Sequence, residues 1–164
     1  MQWLRFAVLV LFGTLLQAGL LEIVSIASFK PDLLVIFLVF FAIYSQNQHA
    51  IIASFVIGIG FDLIGTSMGP GTISLGLLGT GLAYLSKVIR LRRMPFQAGA
   101  IFLTVIAVSF VAYPLRRIQG QPIYQDFWSM AFGTALYSAI IGPFLFLPIA
   151  WWMQIKIHRQ GRRR

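Results

Sequence analysis

The stretch IIASFVIGIGFDLIGTSMGPGTISLGLLGTGLAYL, residues 51–85, consists of two apolar runs joined by a glycine-rich turn, with Asp62 just before the turn. The chain has 164 residues and only four acids, so a carboxylate inside an apolar run needs a reason. Burying it at mid-membrane costs roughly 3 kcal/mol on an insertion scale. Backbone groups in lipid must bond within their own segment, so each run reads as a helix and GTSMGPG (65–71) as the break between them. Four residues apart on the first run lie Ala50, Ser54, Gly58 and Asp62, a row of small side chains that lets another helix approach closely. The second run offers Thr72, Gly76 and Thr80, with Gly79 and Ala83 beside them, and Thr72 can open its helix. The two runs are expected to form a tight hairpin. Asp62 then lies about one turn from a membrane surface and faces protein.

The rest of the chain has the same character. It is 59% hydrophobic and 15% aromatic, with a mean hydropathy of +0.85, more apolar surface than a soluble domain of this length can hide. A membrane crossing takes about 20 helical residues. The expectation is one all-α integral membrane domain, residues 1–164, with helices at about 4–24, 31–47, 49–65, 72–89, 96–114 and 127–152. The first follows Arg5, exceeds a signal-peptide core and lacks an A-x-A cleavage site, so it is read as uncleaved. Pro31-Asp32 opens the second: proline suits a first helical turn, and an acid there meets the positive end of the dipole. SQNQH (45–49) makes a short polar turn, and Gly142, Pro143 and Pro148 are expected to bend the sixth helix.

Charge sets the direction. Arg5, Lys87, Arg90, Arg92, Arg93, Lys156, Arg159 and Arg162 to Arg164 all fall on one side of a six-helix plan. Lys30, Arg116, Arg117, Glu22, Asp32, Asp62 and Asp126 fall on the other. Basic residues concentrate on the cytoplasmic face, so both termini are expected in the cytoplasm. Trp128 and Trp151 bracket the sixth helix as interfacial anchors. The basic inner rim fits anionic lipid, and in this setting the net charge of +9 does not call for nucleic acid.

No catalytic, metal or cofactor site is expected. There are no cysteines, which excludes disulfides and thiol chemistry. The two histidines, His49 in a turn expected to face solvent and His158 in the basic tail, do not share metal-ligand spacing. GPGTISLG lacks the lysine of a phosphate-binding loop, and H-E-x-x-H and G-x-S-x-G are absent. Three readings of Asp62 stay open: an acceptor for Thr66, Ser67 or nearby backbone N–H groups that fixes the turn, a partner for a cation such as Lys30, and a group that handles protons or ions. On the first, an uncharged isostere at Asp62 is expected to be tolerated better than an apolar one. Glu22 and Asp32, at helix ends, are expected to be solvated or to cap.

KPDLLVIFLVFFAIY (30–44), a polar turn, and then residues 51–85 resemble the rod-shape-determining membrane protein MreD family. That family joins a Pro-Asp start of helix two to a G-x-x-x-D-L pattern with glycines leading into the next helix. Pro31, Asp32, Gly58, Asp62, Leu63, Gly65, Gly69 and Gly71 carry the resemblance, and Gly76 joins them as a packing candidate. Pro70 departs from the simpler family turn. The resemblance implies a non-enzymatic, multi-pass subunit of the bacterial inner membrane, part of the elongasome. The implied partners are MreC, the synthase pair of RodA and a class B penicillin-binding protein, and MreB, directly or through MreC. It also implies a fold similar to the substrate-binding subunits of energy-coupling-factor transporters. The alternative is therefore a small-molecule-binding subunit of a vitamin transporter, although the first helix lacks the A-x-x-x-A row of those subunits.

Overall fold

In the computed structural model, residues 3–19, 31–64, 69–88, 94–120 and 127–153 are described. They form α1 (Trp3–Gly19), α2 (Leu33–Tyr44), α3 (Asn47–Ile64), α4 (Pro70–Val88), α5 (Met94–Ile118) and α6 (Phe127–Trp152), with no strand among them. Several boundaries differ by a few residues from the sequence expectation, and three of them have a clear local reason. Helix α2 begins at Leu33 because Asp32 is its N-cap, with extended backbone (φ −92°, ψ 92°), so Pro31 precedes the helix. Helix α4 begins at Pro70, two residues before Thr72, since proline suits the first helical position. Helix α5 continues through Pro114 to Ile118; a proline removes one backbone bond, while Arg116 and Arg117 suit the negative end of the helix dipole.

Helix α2 is the axle of the bundle. Every residue from Leu33 to Ile43 is buried, and the helix packs against each of the other five. It is the one helix with no glycine, serine or threonine, and an all-round apolar helix belongs in a core. Around it, α3 pairs with α4 over the most extensive contact in the bundle, α5 pairs with α6, and α1 lies on α2 and α3. The outer helices turn large apolar side chains outward: Leu11 and Leu15 on α1, Ile59 and Leu63 on α3, Leu77 on α4, Leu103 on α5, Phe144 and Leu147 on α6. Apolar surface on this scale marks a lipid or protein environment. Two helices, Pro95–Ile118 and Phe127–Trp152, are each long and apolar enough to cross a membrane.

The helices end at different heights. The Tyr44 hydroxyl accepts from Gln97 Nε2 at 2.8 Å, which sets one end of α2 level with the first turn of α5. From that level α2 extends about 18 Å to Asp32, whereas α5 extends about 31 Å to Ile118, at 1.5 Å per residue. The Asp32 end of α2 is therefore recessed by about 13 Å below the end of α5. Inside the helices the hydroxyls of Thr14, Ser54, Ser74, Thr80, Thr104 and Ser109 donate to the carbonyl one turn back, so they need no water.

Candidate functional site: the carboxylate end of the bundle

Asp62 is buried, and both of its oxygens are used. Oδ1 accepts from the Gly71 N–H at 2.7 Å. Oδ2 accepts from the Gly69 N–H at 2.9 Å, the Thr72 N–H at 2.8 Å and the Thr72 hydroxyl at 2.6 Å. These backbone donors belong to the cap and first turn of α4, where N–H groups have no partner within their own helix. Pro70 contributes no N–H, and the Ile73 N–H already bonds the Gly69 carbonyl. A side chain from α3 thus serves the whole start of α4, at the end whose dipole favours negative charge. The proline that departs from the family turn removes one donor from a carboxylate already accepting four bonds. Of the turn donors named from sequence, Thr66 and Ser67 lie outside the described residues, as do Gly65, Lys30 and Glu22.

The close approach of α3 and α4 makes this clamp reachable. A Cβ on Gly58 would lie 2.7 Å from the Thr72 Cα and 3.1 Å from the Gly71 carbonyl oxygen. A Cβ on Gly71 would collide with the Asp62 carboxylate itself, and Gly69 holds φ +119°, a conformation that L side chains rarely adopt. Farther down, Gly79 meets Ser54, and Ala50 and Ala83 pack with Ala42 of α2. Gly76 is turned aside and faces the ring of Phe55, which is half exposed. The small-residue row of α3 therefore meets Thr72, Gly79 and Ala83, with Gly76 at its margin.

Asp32 anchors a second polar knot at the recessed end of α2. Its Oδ1 accepts from the Val35 N–H at 3.2 Å and from Gln17 Nε2 of α1 at 3.1 Å. Gln17 Oε1 in turn accepts from the Leu34 N–H at 3.1 Å. The Asp32 N–H donates to the Ser138 hydroxyl of α6 at 2.8 Å. At the opposite end the Ser86 hydroxyl of α4 donates to the Ala42 carbonyl at 2.8 Å. The central helix is thus held at both ends by polar side chains of its neighbours. Sequence reading missed Gln17 and Ser138; a lone amide and a lone hydroxyl in apolar helices gave no pattern to find them by.

His49, expected to face solvent, is only partly exposed. It sits in the first turn of α3 with its ring edge-on to Trp3, centroids 5.4 Å apart, and its buried Nδ1 has no hydrogen-bond partner among the described residues. Among the described residues no group of three or more His, Asp or Glu could hold a metal ion. The carboxylate end binds its own backbone: Asp62 and Asp32 are both engaged in holding helix starts.

No curated protein and no solved structure matches the chain. The family model described as rod shape-determining protein MreD matches residues 1–156, well beyond the 30–90 stretch that carries the motifs. The chain belongs to the rod shape-determining protein MreD family, and its role is in rod-shape determination.

Proposed function

We propose that the protein is a non-enzymatic scaffold subunit of the bacterial elongasome, built into the inner membrane by six spans with both termini in the cytoplasm. In this reading it binds MreC and helps couple MreB to the lateral-wall synthase of RodA and a class B penicillin-binding protein. The family match over residues 1–156 is the observation that carries it. Two further features support it. The polar groups of the carboxylate end are spent on holding helices together, and the outward-facing side chains are large and apolar. The six-span plan places the carboxylate end outside and the basic rim against anionic lipid on the inner side. A plan similar to the substrate-binding subunits of energy-coupling-factor transporters belongs to the same reading. The vitamin-transporter alternative gains nothing, because the matching family is the shape-determining one.

Complementation of a rod-shape defect, with affinity capture from native membranes in mild detergent, tests the proposal. The expected result is restored rod shape and recovery of MreC with the protein. A reporter fused after Arg164 is expected to be active in the cytoplasm, and one inserted at Gln121 to be active outside. Restored shape without any retained elongasome subunit would sink the scaffold reading, and a periplasmic C-terminus would sink the six-span plan.

A further inference from the structure

Arg116 and Arg117 run against the charge pattern of the chain, in which ten basic residues fall on the cytoplasmic side of the six-span plan. The inference below rests on that plan. From Pro95 to Arg116 helix α5 rises about 31 Å. The hydrocarbon core is about 30 Å thick, with roughly 5–7 Å of headgroup on each side. With Pro95 at the inner boundary, the backbone of Arg116 and Arg117 reaches the outer edge of the hydrocarbon, within a long side chain's length of the outer-leaflet phosphates.

The same end of α5 carries an aromatic platform shared with α6. Tyr113 stacks on Trp128 with centroids 5.8 Å apart and planes at 29°, and Phe127 lies 5.2 Å from Tyr113. Phe110 sits 6.2 Å from Trp128, and these two rings are 68% and 43% exposed. Arg116 and Arg117 follow Tyr113 by three and four residues, so they share its face of the helix. An arginine at the membrane boundary lays its apolar stem along such rings and carries its guanidinium group outward to the headgroups. Neither described carboxylate hydrogen-bonds to them: Asp62 is taken by the start of α4 and Asp32 by Gln17 and Val35, although the charge of Arg116 is felt at Asp32 and leaves Arg117 the freer of the two. The α5 dipole accounts for a positive charge at this end; it does not account for exposed rings beside it. Guanidinium pairs with phosphate oxygens through two parallel bonds, and amphipathic rings suit the zone where glycerol meets acyl chain.

We infer that Arg116 and Arg117, backed by the Tyr113–Trp128 stack, bind the phosphate of an anionic phospholipid in the outer leaflet. The chain has no cysteine, so Ile118→Cys takes a single fluorophore next to the site. The full-length protein is reconstituted in phosphatidylcholine nanodiscs, and brominated phosphatidylglycerol or brominated phosphatidylcholine is titrated in as quencher. Phosphatidylglycerol is expected to quench at a mole fraction about 10- to 30-fold lower, the effect of two basic residues near a charged surface. Arg116→Gln with Arg117→Gln is expected to abolish that preference, and the matching pair of lysines to keep most of it. Arg163→Gln with Arg164→Gln, at the opposite face, is expected to leave it unchanged. Equal quenching by the two lipids, or a preference that survives the glutamine pair, overturns the inference. Labelling of Ile118→Cys by an impermeant maleimide in intact cells checks the topology separately. If labelling fails while the lipid preference behaves as expected, the six-span plan and the outer leaflet are overturned, and the phosphate chemistry stands.

Discussion

Asp62→Leu is expected to destabilise the protein by about 3–5 kcal/mol, because it leaves three backbone N–H groups and a hydroxyl at the start of α4 without an acceptor, and each unsatisfied buried donor costs about 1–3 kcal/mol. The Thr72 hydroxyl can turn to another acceptor; the backbone groups cannot. Geometry also changes what is expected of asparagine. Donors converge on both oxygens of Asp62, so the N–H₂ of an asparagine side chain in its place would have to point at a donor, whichever way the amide is turned. Asp62→Asn is therefore expected to lose about 1–3 kcal/mol, less than leucine but well short of silent. Thermal unfolding in detergent, with membrane levels measured in parallel, checks the order wild type, Asn, Leu. Equal stability of wild type and Asp62→Asn would mean that the turn does not depend on the carboxylate.

The second large effect is expected at Gly58. A Cβ there meets backbone, the Thr72 Cα at 2.7 Å, and backbone has no rotamer to escape into. Gly58→Ala is expected to cost about 1–3 kcal/mol, the range for overpacking, and Gly58→Leu more. The damage spreads, since pushing Thr72 away lengthens two of the bonds to Asp62. Gly76 looks equivalent in the sequence, but its obstacle is the half-exposed ring of Phe55, which can swing outward. Gly76→Ala is therefore expected to cost under about 1 kcal/mol, and Arg163→Ala nearly nothing. Comparable losses at Gly58 and Gly76 would contradict the packing described for α3 and α4.

Helices were legible because apolar runs, glycine turns and capping residues act over a few neighbouring residues. The hairpin of α3 and α4 could be read from Ala50, Ser54, Gly58 and Asp62 at a spacing of four. What could not be read is whatever depends on which helix stands next to which. Gln17 and Ser138 matter because α1 and α6 flank the start of α2, and Ser138 meets Asp32 across 106 positions of sequence. The two sides of α4 could not be told apart either, so Gly76 and Gly79 exchanged importance once Ser54 was placed. The central position of α2 left one local trace, the absence of any glycine, serine or threonine from Leu33 to Tyr44. Asp62 was found because a charge in an apolar run is conspicuous; its partners were not, because they are backbone groups, which every sequence carries.

The clamp by Asp62 on the start of α4 is tested most directly by amide hydrogen exchange at Gly71 and Thr72, followed by NMR in detergent. In the wild type both amides are expected to be strongly protected, although first-turn amides of a helix ordinarily exchange freely. In Asp62→Leu protection at these two positions is expected to fall, while amides in the middle of α4 stay protected. Fast exchange at Gly71 and Thr72 in the wild type, or protection that is indifferent to residue 62, would contradict the account.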